Sequence, residues 1–348
     1  MADLSNFDPN SVSLVSNNIF GLPTTEADAS LVLLPVPWEV TVSYCHGTAR
    51  GPEQICKASL QIDLLDPDVN EGWRKGFYMR DQDKHMLLRS DYLRKEAELY
   101  LKFLTEGGDI SENEFLKKTL VDVNKGTSLM NEWVYSQSKS VLDQGKLVGL
   151  VGGDHSTPLG YIKALAEEKG AFGILQIDAH CDLRNGYEGF QYSHASIMYN
   201  VLHEVPQVTK LVQLGIRDYC EEELQFIQNN PERIHTFFDR DIKHRQYEGT
   251  NWATICDEVI AQLPQQVYIS FDIDGLDPKL CPHTGTPVPG GYDCEQIYYL
   301  FKKLLASGRK IVGFDLCEVS SAHEEWDANV GARVLFKLCN LMVHPDNK

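Results

Sequence analysis

Three times in this chain an apolar run ends in a knot of acidic and imidazole side chains, and that repetition constrains the fold more than any other feature. Leu147–Leu150 leads into Gly152-Gly153-Asp154-His155-Ser156, and Phe172–Ile177 into Asp178-Ala179-His180-Cys181-Asp182. Val267–Phe271 leads into Asp272-Ile273-Asp274-Gly275-Leu276-Asp277-Pro278. Short apolar runs of this kind read as buried strands. In an open parallel sheet, the carboxyl ends of the strands line the ligand crevice. Taken singly, each block has a plain structural reading as a polar turn or a helix cap. Taken together, His155, Asp178, His180, Asp182, Asp272 and Asp274 form a hard donor set suited to a pair of divalent ions such as manganese. Burying that many carboxylates without cations would be strongly unfavourable.

The rest of the chain sets these blocks in an alternating pattern. Leu31–Val36 reads as an early buried strand, followed by a loop from Pro37 to Pro52. Met130–Leu142 reads as a helix closed by Gly145, and helices are expected near Leu159–Glu168, Ala195–Leu202, Glu221–Gln228 and Trp252–Leu263. Lys210–Leu214 and Lys310–Asp315 read as strands, and Cys294–Leu305 and Ala328–Leu341 as helices. Alternation of this kind predicts an α/β chain whose largely parallel central sheet is covered on both faces. The stretch from about Ser59 to Gly126 is less regular, with helical spacing only over Asp91–Leu104. It reads as an elaboration that shapes the site mouth or a subunit contact. No Pro- or Ser-rich linker divides the 348 residues, so a single domain is expected, with an N-terminal extension over about residues 1–30.

The formal charge of −18 argues against nucleic acid or an anionic membrane as partner and favours a cationic substrate. Nine cysteines, an odd number without metal-finger spacing, point to reduced thiols and a cytoplasmic setting. Cys181 lies inside a ligand block, yet reads as a space-filling neighbour. The N-terminus, with Asp3 and Asp8 and no long apolar run, gives no secretory or membrane-spanning signal.

The three blocks resemble the ureohydrolase superfamily of arginases and agmatinases. The resemblance runs from about Leu31 to Leu341 and takes in the segment from Ser43 to Pro52 and Leu214-Gly215-Ile216-Arg217. It also takes in Gly285-Thr286-Pro287-Val288-Pro289-Gly290-Gly291 and Gly313-Phe314-Asp315-Leu316-Cys317-Glu318-Val319. The stretch from Asp182 to Ala195 looks most like agmatinases. The resemblance implies a three-layer α/β/α fold with two divalent ions, expected to be Mn2+, and an assembly of trimers or hexamers. One ion would take His155, Asp178, Asp182 and Asp272, and the other Asp178, His180, Asp272 and Asp274, with Asp178 and Asp272 bridging. Strand alternation, which turns residues two apart to one side, offers a reason for the one-residue spacers.

The same resemblance implies roles for three further groups. Asp182 would take the proton of the attacking water, and Glu318 would pair with the substrate guanidinium, whose planar fork matches a carboxylate. His194, in Tyr192-Ser193-His194-Ala195, would shuttle protons or hold substrate, although Ala195 stands where most agmatinases have glycine. Asp154 and Asp277 read as structural neighbours, and Thr286 as a donor near the site. Glu318-Val319-Ser320-Ser321 departs from the Val-Asn-Pro that follows the glutamate in many relatives, which puts the substrate in doubt rather than the hydrolysis.

Agmatine cleavage to putrescine and urea is the leading expectation. Arginine is next, because Arg184 and Asn185 lie in a loop that could meet its carboxylate. Guanidinobutyrate and guanidine stay open, and anionic formimidoylglutamate fits the acidic chain less well. A catalytically silent relative that binds a partner protein is the non-enzymatic alternative, disfavoured because such relatives usually lose metal ligands and all six are present.

Overall fold

The computed structural model describes residue 4, residues 7–320 and residues 325–347. Its strands are β1 (Leu31–Val36), β2 (Phe77–Met79), β3 (Leu147–Gly152), β4 (Phe172–Ile177), β5 (Val208–Ile216), β6 (Ile234–Phe238), β7 (Gln266–Asp272) and β8 (Lys310–Cys317). Its α-helices are α1 (Gly51–Ser59), α2 (Lys84–Thr105), α3 (Glu114–Leu142), α4 (Leu159–Lys169) and α5 (Ile197–Glu204). They continue with α6 (Glu221–Asn229), α7 (Asp239–Tyr247), α8 (Trp252–Ala261), α9 (Cys294–Ala306) and α10 (Trp326–Val343).

The eight strands form one sheet in the order β2-β1-β3-β8-β7-β4-β5-β6, with every described pairing parallel. Parallel strands need crossover connections, and the helices that supply them cover both faces. The strands alternate accordingly. Leu31 and Leu33 of β1 face the layer containing Ile55, Ile255, Leu300 and Leu335, whereas Val32, Leu34 and Val36 face the layer containing Met130, Ile162 and Val201. The result is the expected α/β/α sandwich, with α1 and α7–α10 on one side and α2–α6 on the other.

Because all strands run one way, β3, β8, β7 and β4, adjacent at the centre of the sheet, end at the same edge. The three ligand blocks and Glu318 follow those four ends. The topology thus assembles residues separated by up to 163 positions, as in the His155–Glu318 contact.

Three local expectations are corrected. The stretch between Ser59 and Gly126 is mostly two long helices, and Met130–Leu142 is only the last part of the 29-residue α3. The buried positions of α2 and α3 are interrupted by Arg94, Thr119 and Thr127, which breaks the apolar period. β6 and α7 escape a periodicity reading because β6 is a short edge strand and α7 buries only Asp239 and Ile242. Helix α1 begins inside the supposed loop, with Pro52 in its first turn, a position that needs no backbone donor.

Candidate metal centre and substrate cleft

Each ligand block folds by the same local device. Asp154 Oδ1 accepts the N–H of Ser156 at 3.0 Å, Asp178 Oδ1 that of His180 at 2.7 Å, and Asp272 Oδ1 that of Asp274 at 2.9 Å. These turns, in which an aspartate caps the residue two positions on, bring the paired ligands together. Strand alternation is not the reason for the one-residue spacers, since β4 ends at Ile177 and β7 at Asp272. Gly153 is required at the first block, because a Cβ there would lie 2.0 Å from the Trp38 carbonyl oxygen.

His155 is the hub. Its Nδ1 lies 3.1 Å from Asp178 Oδ2, 3.1 Å from Asp182 Oδ2 and 3.2 Å from Asp272 Oδ2, yet it makes no aligned hydrogen bond to any of them. His180 Nδ1 lies 3.0 Å from Asp274 Oδ2 and 3.6 Å from Asp178 Oδ1. Two atoms each ~2.1 Å from one ion and at right angles about it would be ~3.0 Å apart. The buried Nδ1 of His155 and the carboxylates around it therefore fit a coordinating set better than a hydrogen-bonded one. Two clusters of donors close enough to hold an ion, His155–Asp178–Asp182 and Asp178–His180–Asp274, share Asp178. Asp272, against His155, joins the first. A further cluster, His155–Asp315–Cys317, involves the other edge of the same imidazole, which faces the Ser270 hydroxyl.

That opposite edge explains why Nδ1 is free. Nε2 lies 2.9 Å from Ser270 Oγ, which in turn donates to Asp315 Oδ1 at 3.2 Å. A proton on Nε2 leaves the Nδ1 lone pair facing the carboxylates, the usual way an outer hydrogen bond fixes a ligand histidine. Behind Asp178, Gln176 Nε2 donates to its Oδ2 at 2.8 Å, and Gln213 Nε2 donates to Gln176 Oε1 at 2.7 Å. Arg217 fastens the third block, donating to the carbonyls of Asp274 at 2.6 Å and Leu276 at 3.1 Å. None of these supports was assigned in the sequence. Gln176 and Gln213, fully buried in otherwise apolar strands, and Ser270 and Asp315 were the available signal.

The electrostatics call for cations. Burial, and then the charges of Asp274 and Asp178, push Asp272 well above the usual carboxylate range. Burial and Asp178 push Asp182 up to about 7. Burial works against a charged His155, but the proximity of Asp178, Asp182 and Asp272 outweighs it and raises the imidazole well above its ordinary value. Asp182 and Glu318 also hold left-handed backbone, at φ of 56° and 62°. Such strain in non-glycine residues concentrates at functional sites.

Glu318 stands at the end of β8. Its Oε1 accepts the backbone N–H of His155 at 2.9 Å, while buried Oε2 has no hydrogen-bond partner among the described residues. Burial and nearby Asp154 raise its carboxyl well above the ordinary range. His194 opens the turn before α5, and its Nδ1 lies 3.3 Å from Ser193 Oγ and 3.4 Å from Thr41 Oγ1. Burial, followed by His180 and Arg94, lowers its pKa to about 3 and keeps the imidazole neutral. Ala195 has ordinary backbone, so the absence of glycine there needs no rearrangement.

These groups line one cleft with about 150 Å³ of free space, well under the ~300 Å³ at which drug-sized pockets begin. His155, His180, Asp182, Asp272, Asp274, His194, Glu318 and Thr286 all border it, and Asp178, the sixth expected ligand, is buried and does not. Ser43, Arg184, Tyr187, Asp218 and Tyr219 also line it, with buried Glu223 behind them. Arg184 lies 4.6 Å above the Tyr187 ring, with Nε 4.0 Å from Glu223 Oε2. Helices α2 and α3 brace this rim. Arg94 donates to the Val42 carbonyl, Tyr100 Oη to the Glu188 carbonyl at 3.0 Å, and Asn124 Nδ2 to the Gly189 carbonyl at 3.1 Å.

Other expectations find plain places. Asp154 caps its own turn, and Asp277 accepts from Lys279 N–H at 3.0 Å in a structural turn. Cys181 is fully buried in the core and belongs to none of the donor clusters. His283 is paired with Asp327 at 2.9 Å, away from the cleft lining. Ser320 is buried against the loop at Gly47, and Ser321 lies outside the described residues.

Comparison with known proteins decides the family. Residues 29–340 match the Arginase family. The chain belongs to the arginase family. It is a hydrolase of that group, whose members are binuclear metal enzymes. An N(1)-aminopropylagmatine ureohydrolase of Thermus thermophilus is 32% identical over 293 residues, covering 84% of this chain and 83% of that protein. The agmatinase of Pyrococcus horikoshii is 29% identical, covering 86% and 87%. The agmatine ureohydrolase of Thermoplasma volcanium superposes with a TM-score of 0.69 at 20% identity, covering 98% of this chain and 97% of that one. That last likeness concerns the fold. This arginase-family chain thus has the arginase-like α/β/α sheet of its relatives.

Proposed function

We propose that this protein releases urea from a small cationic guanidino compound, agmatine above all, at a centre of two divalent ions. The observation that carries the reading is the Nδ1 of His155, without a hydrogen-bond partner among the described residues, set against Asp178, Asp182 and Asp272, beside a second group around His180. His155, Asp178, Asp182 and Asp272 would hold one ion, and Asp178, His180, Asp272 and Asp274 the other. Manganese is the expected metal, because the set is dominated by carboxylate oxygen. Bound ions would supply an acidified water as nucleophile and charge to stabilise the tetrahedral centre.

The protein's own groups do the rest. Glu318 Oε2 has free lone pairs for the guanidinium N–H groups and fixes the central carbon over the ligand cluster. Asp182, against His155 in the cluster, can accept the water's proton, and His194, lining the same cleft, can take that proton on one ring nitrogen and give one from the other to the departing amine. Residues 1–348 are taken as one functional unit, soluble in the cytoplasm, with an oligomer of three or six copies expected from the family.

The mouth favours a cationic tail over a carboxylate. Arg184 is engaged by Tyr187 and Glu223, whereas exposed Asp218 makes no ion pair or hydrogen bond through its carboxylate among the described residues. The relatives named for N(1)-aminopropylagmatine support a second reading in which that longer amine is the substrate. Steady-state kcat/KM for urea release from agmatine, N(1)-aminopropylagmatine, arginine, guanidinobutyrate and guanidine tests both readings. Preference for either amine-tailed compound supports the cationic-tail reading and its order separates the two. Preference for arginine or guanidinobutyrate contradicts it.

A further inference from the structure

Helix α2 carries two stripes where a surface helix usually has one. Its inner stripe, including Met86, Leu93, Ala97 and Leu101, is buried against the body of the protein. Leu88, Tyr92 and Leu99, on the opposite side, are 65%, 63% and 55% exposed. With Lys95 they follow a four-three-four spacing and fall within a roughly 60° sector of the helix. Spacing of this kind makes a seam for another helix.

The pattern is palindromic, which identifies the second helix. When α2 lies antiparallel on a copy of itself, about a two-fold axis between Tyr92 and Lys95, Leu88 meets the other copy's Leu99. Tyr92 then meets the other copy's Lys95, whose stem and charge suit an aromatic face. Arg89 and Glu96 lie on one flank of the seam, and neither makes an ion pair among the described residues of its own chain. In the antiparallel arrangement, Arg89 of each copy faces Glu96 of the other. The wider charge balance agrees. The chain as a whole carries −18, which opposes self-association, but α2 has five Lys or Arg against three Asp or Glu.

We infer that the outer face of α2 is a self-docking surface, joining two copies of this chain through an antiparallel α2–α2 contact. An isologous contact requires a patch complementary to itself, and the palindrome provides one. The 22-residue helix spans about 33 Å. One helix packed on one helix makes a small contact among specific interfaces, so the pairing is expected to depend on concentration. The inner face of the same helix braces the cleft through Arg94 and Tyr100, so the contact also backs the rim of the site.

Sedimentation velocity of the full chain over a concentration series tests this. The wild-type assembly is expected to contain an even number of copies at high concentration. Leu88→Glu and Arg89→Glu should each halve its mass with the circular dichroism spectrum unchanged. Combining Arg89→Glu with Glu96→Arg should restore the mass. A wild-type chain that is monomeric or trimeric throughout, or folded single variants with unaltered mass, overturns the inference. So does a folded double variant that fails to regain the mass of the wild type.

Discussion

The backbone N–H of His155 donates to Glu318 Oε1 at 2.9 Å, tying the glutamate that ends β8 to the histidine that follows β3. One oxygen of Glu318 is thereby spent on holding its position, and Oε2 is left for a ligand. Glu318→Gln should keep the fold but replace a charged acceptor by a neutral amide. Loss of the charge-assisted pairing, on the order of 3 kcal/mol, implies roughly a hundredfold fall in kcat/KM for agmatine. Steady-state kinetics with intact bound metal checks this. Unchanged kcat/KM would remove Glu318 from substrate binding.

Ser270 stands between His155 Nε2 and Asp315, so its hydroxyl decides which nitrogen of His155 carries the proton. Ser270→Ala should weaken metal affinity by about 10–100-fold without altering the ligands themselves. Titration of metal-depleted protein by calorimetry would show it. Wild-type affinity in this variant would mean that the Ser270–Asp315 relay is only packing.

Removal of the ions should leave a protein whose stability falls as pH rises. In the cluster by itself, burial raises Asp272 and Glu318 well above their ordinary values, and burial with Asp178 raises Asp182 to about 7. These carboxyls then hold protons in the folded state that the unfolded chain has released. Stability is lost as pH climbs from the unfolded carboxylate range through the raised values, a window from about pH 4 to above 7. Thermal melts of chelated protein across that window should drift downward, while metal-loaded protein should not follow them. Saturating metal should raise Tm by on the order of 5 °C near neutrality.

Among the described residues the Asp218 carboxylate, which lines the cleft, makes no ion pair or hydrogen bond. Asp218→Asn should raise KM a few-fold for an amine-tailed substrate, as suits an exposed charge, and leave guanidine turnover nearly unchanged. Equal effects on both compounds would argue that Asp218 acts on the centre and not on the tail.

Much of this is legible in the sequence, and for physical reasons. A ligand block after an apolar run shows where a parallel strand ends, so the pattern alone gathers His155, Asp178, His180, Asp182, Asp272 and Asp274 at one edge. The turn geometry is less legible. The one-residue spacers look like strand alternation, but aspartate-capped turns beyond the strand ends create them. The start of α2 and the first half of α3 are hidden because polar residues such as Ser90, Thr119 and Thr127 sit on the buried face. The supports of the site, Gln176 and Gln213 among them, depend on which strands become neighbours, and β4 beside β5 is a tertiary fact. An aminopropyl-extended substrate is not legible either, because the residues show a cationic preference but not the length of the tail.

The most direct measurement is urea released from agmatine and N(1)-aminopropylagmatine by manganese-reconstituted protein, before chelation, after it, and after manganese is restored. The account predicts release that disappears with the chelator, returns with the ion, and is absent throughout in Asp178→Asn. Release that survives complete metal removal, or the absence of urea from any guanidino compound by protein holding two ions per chain, would contradict it.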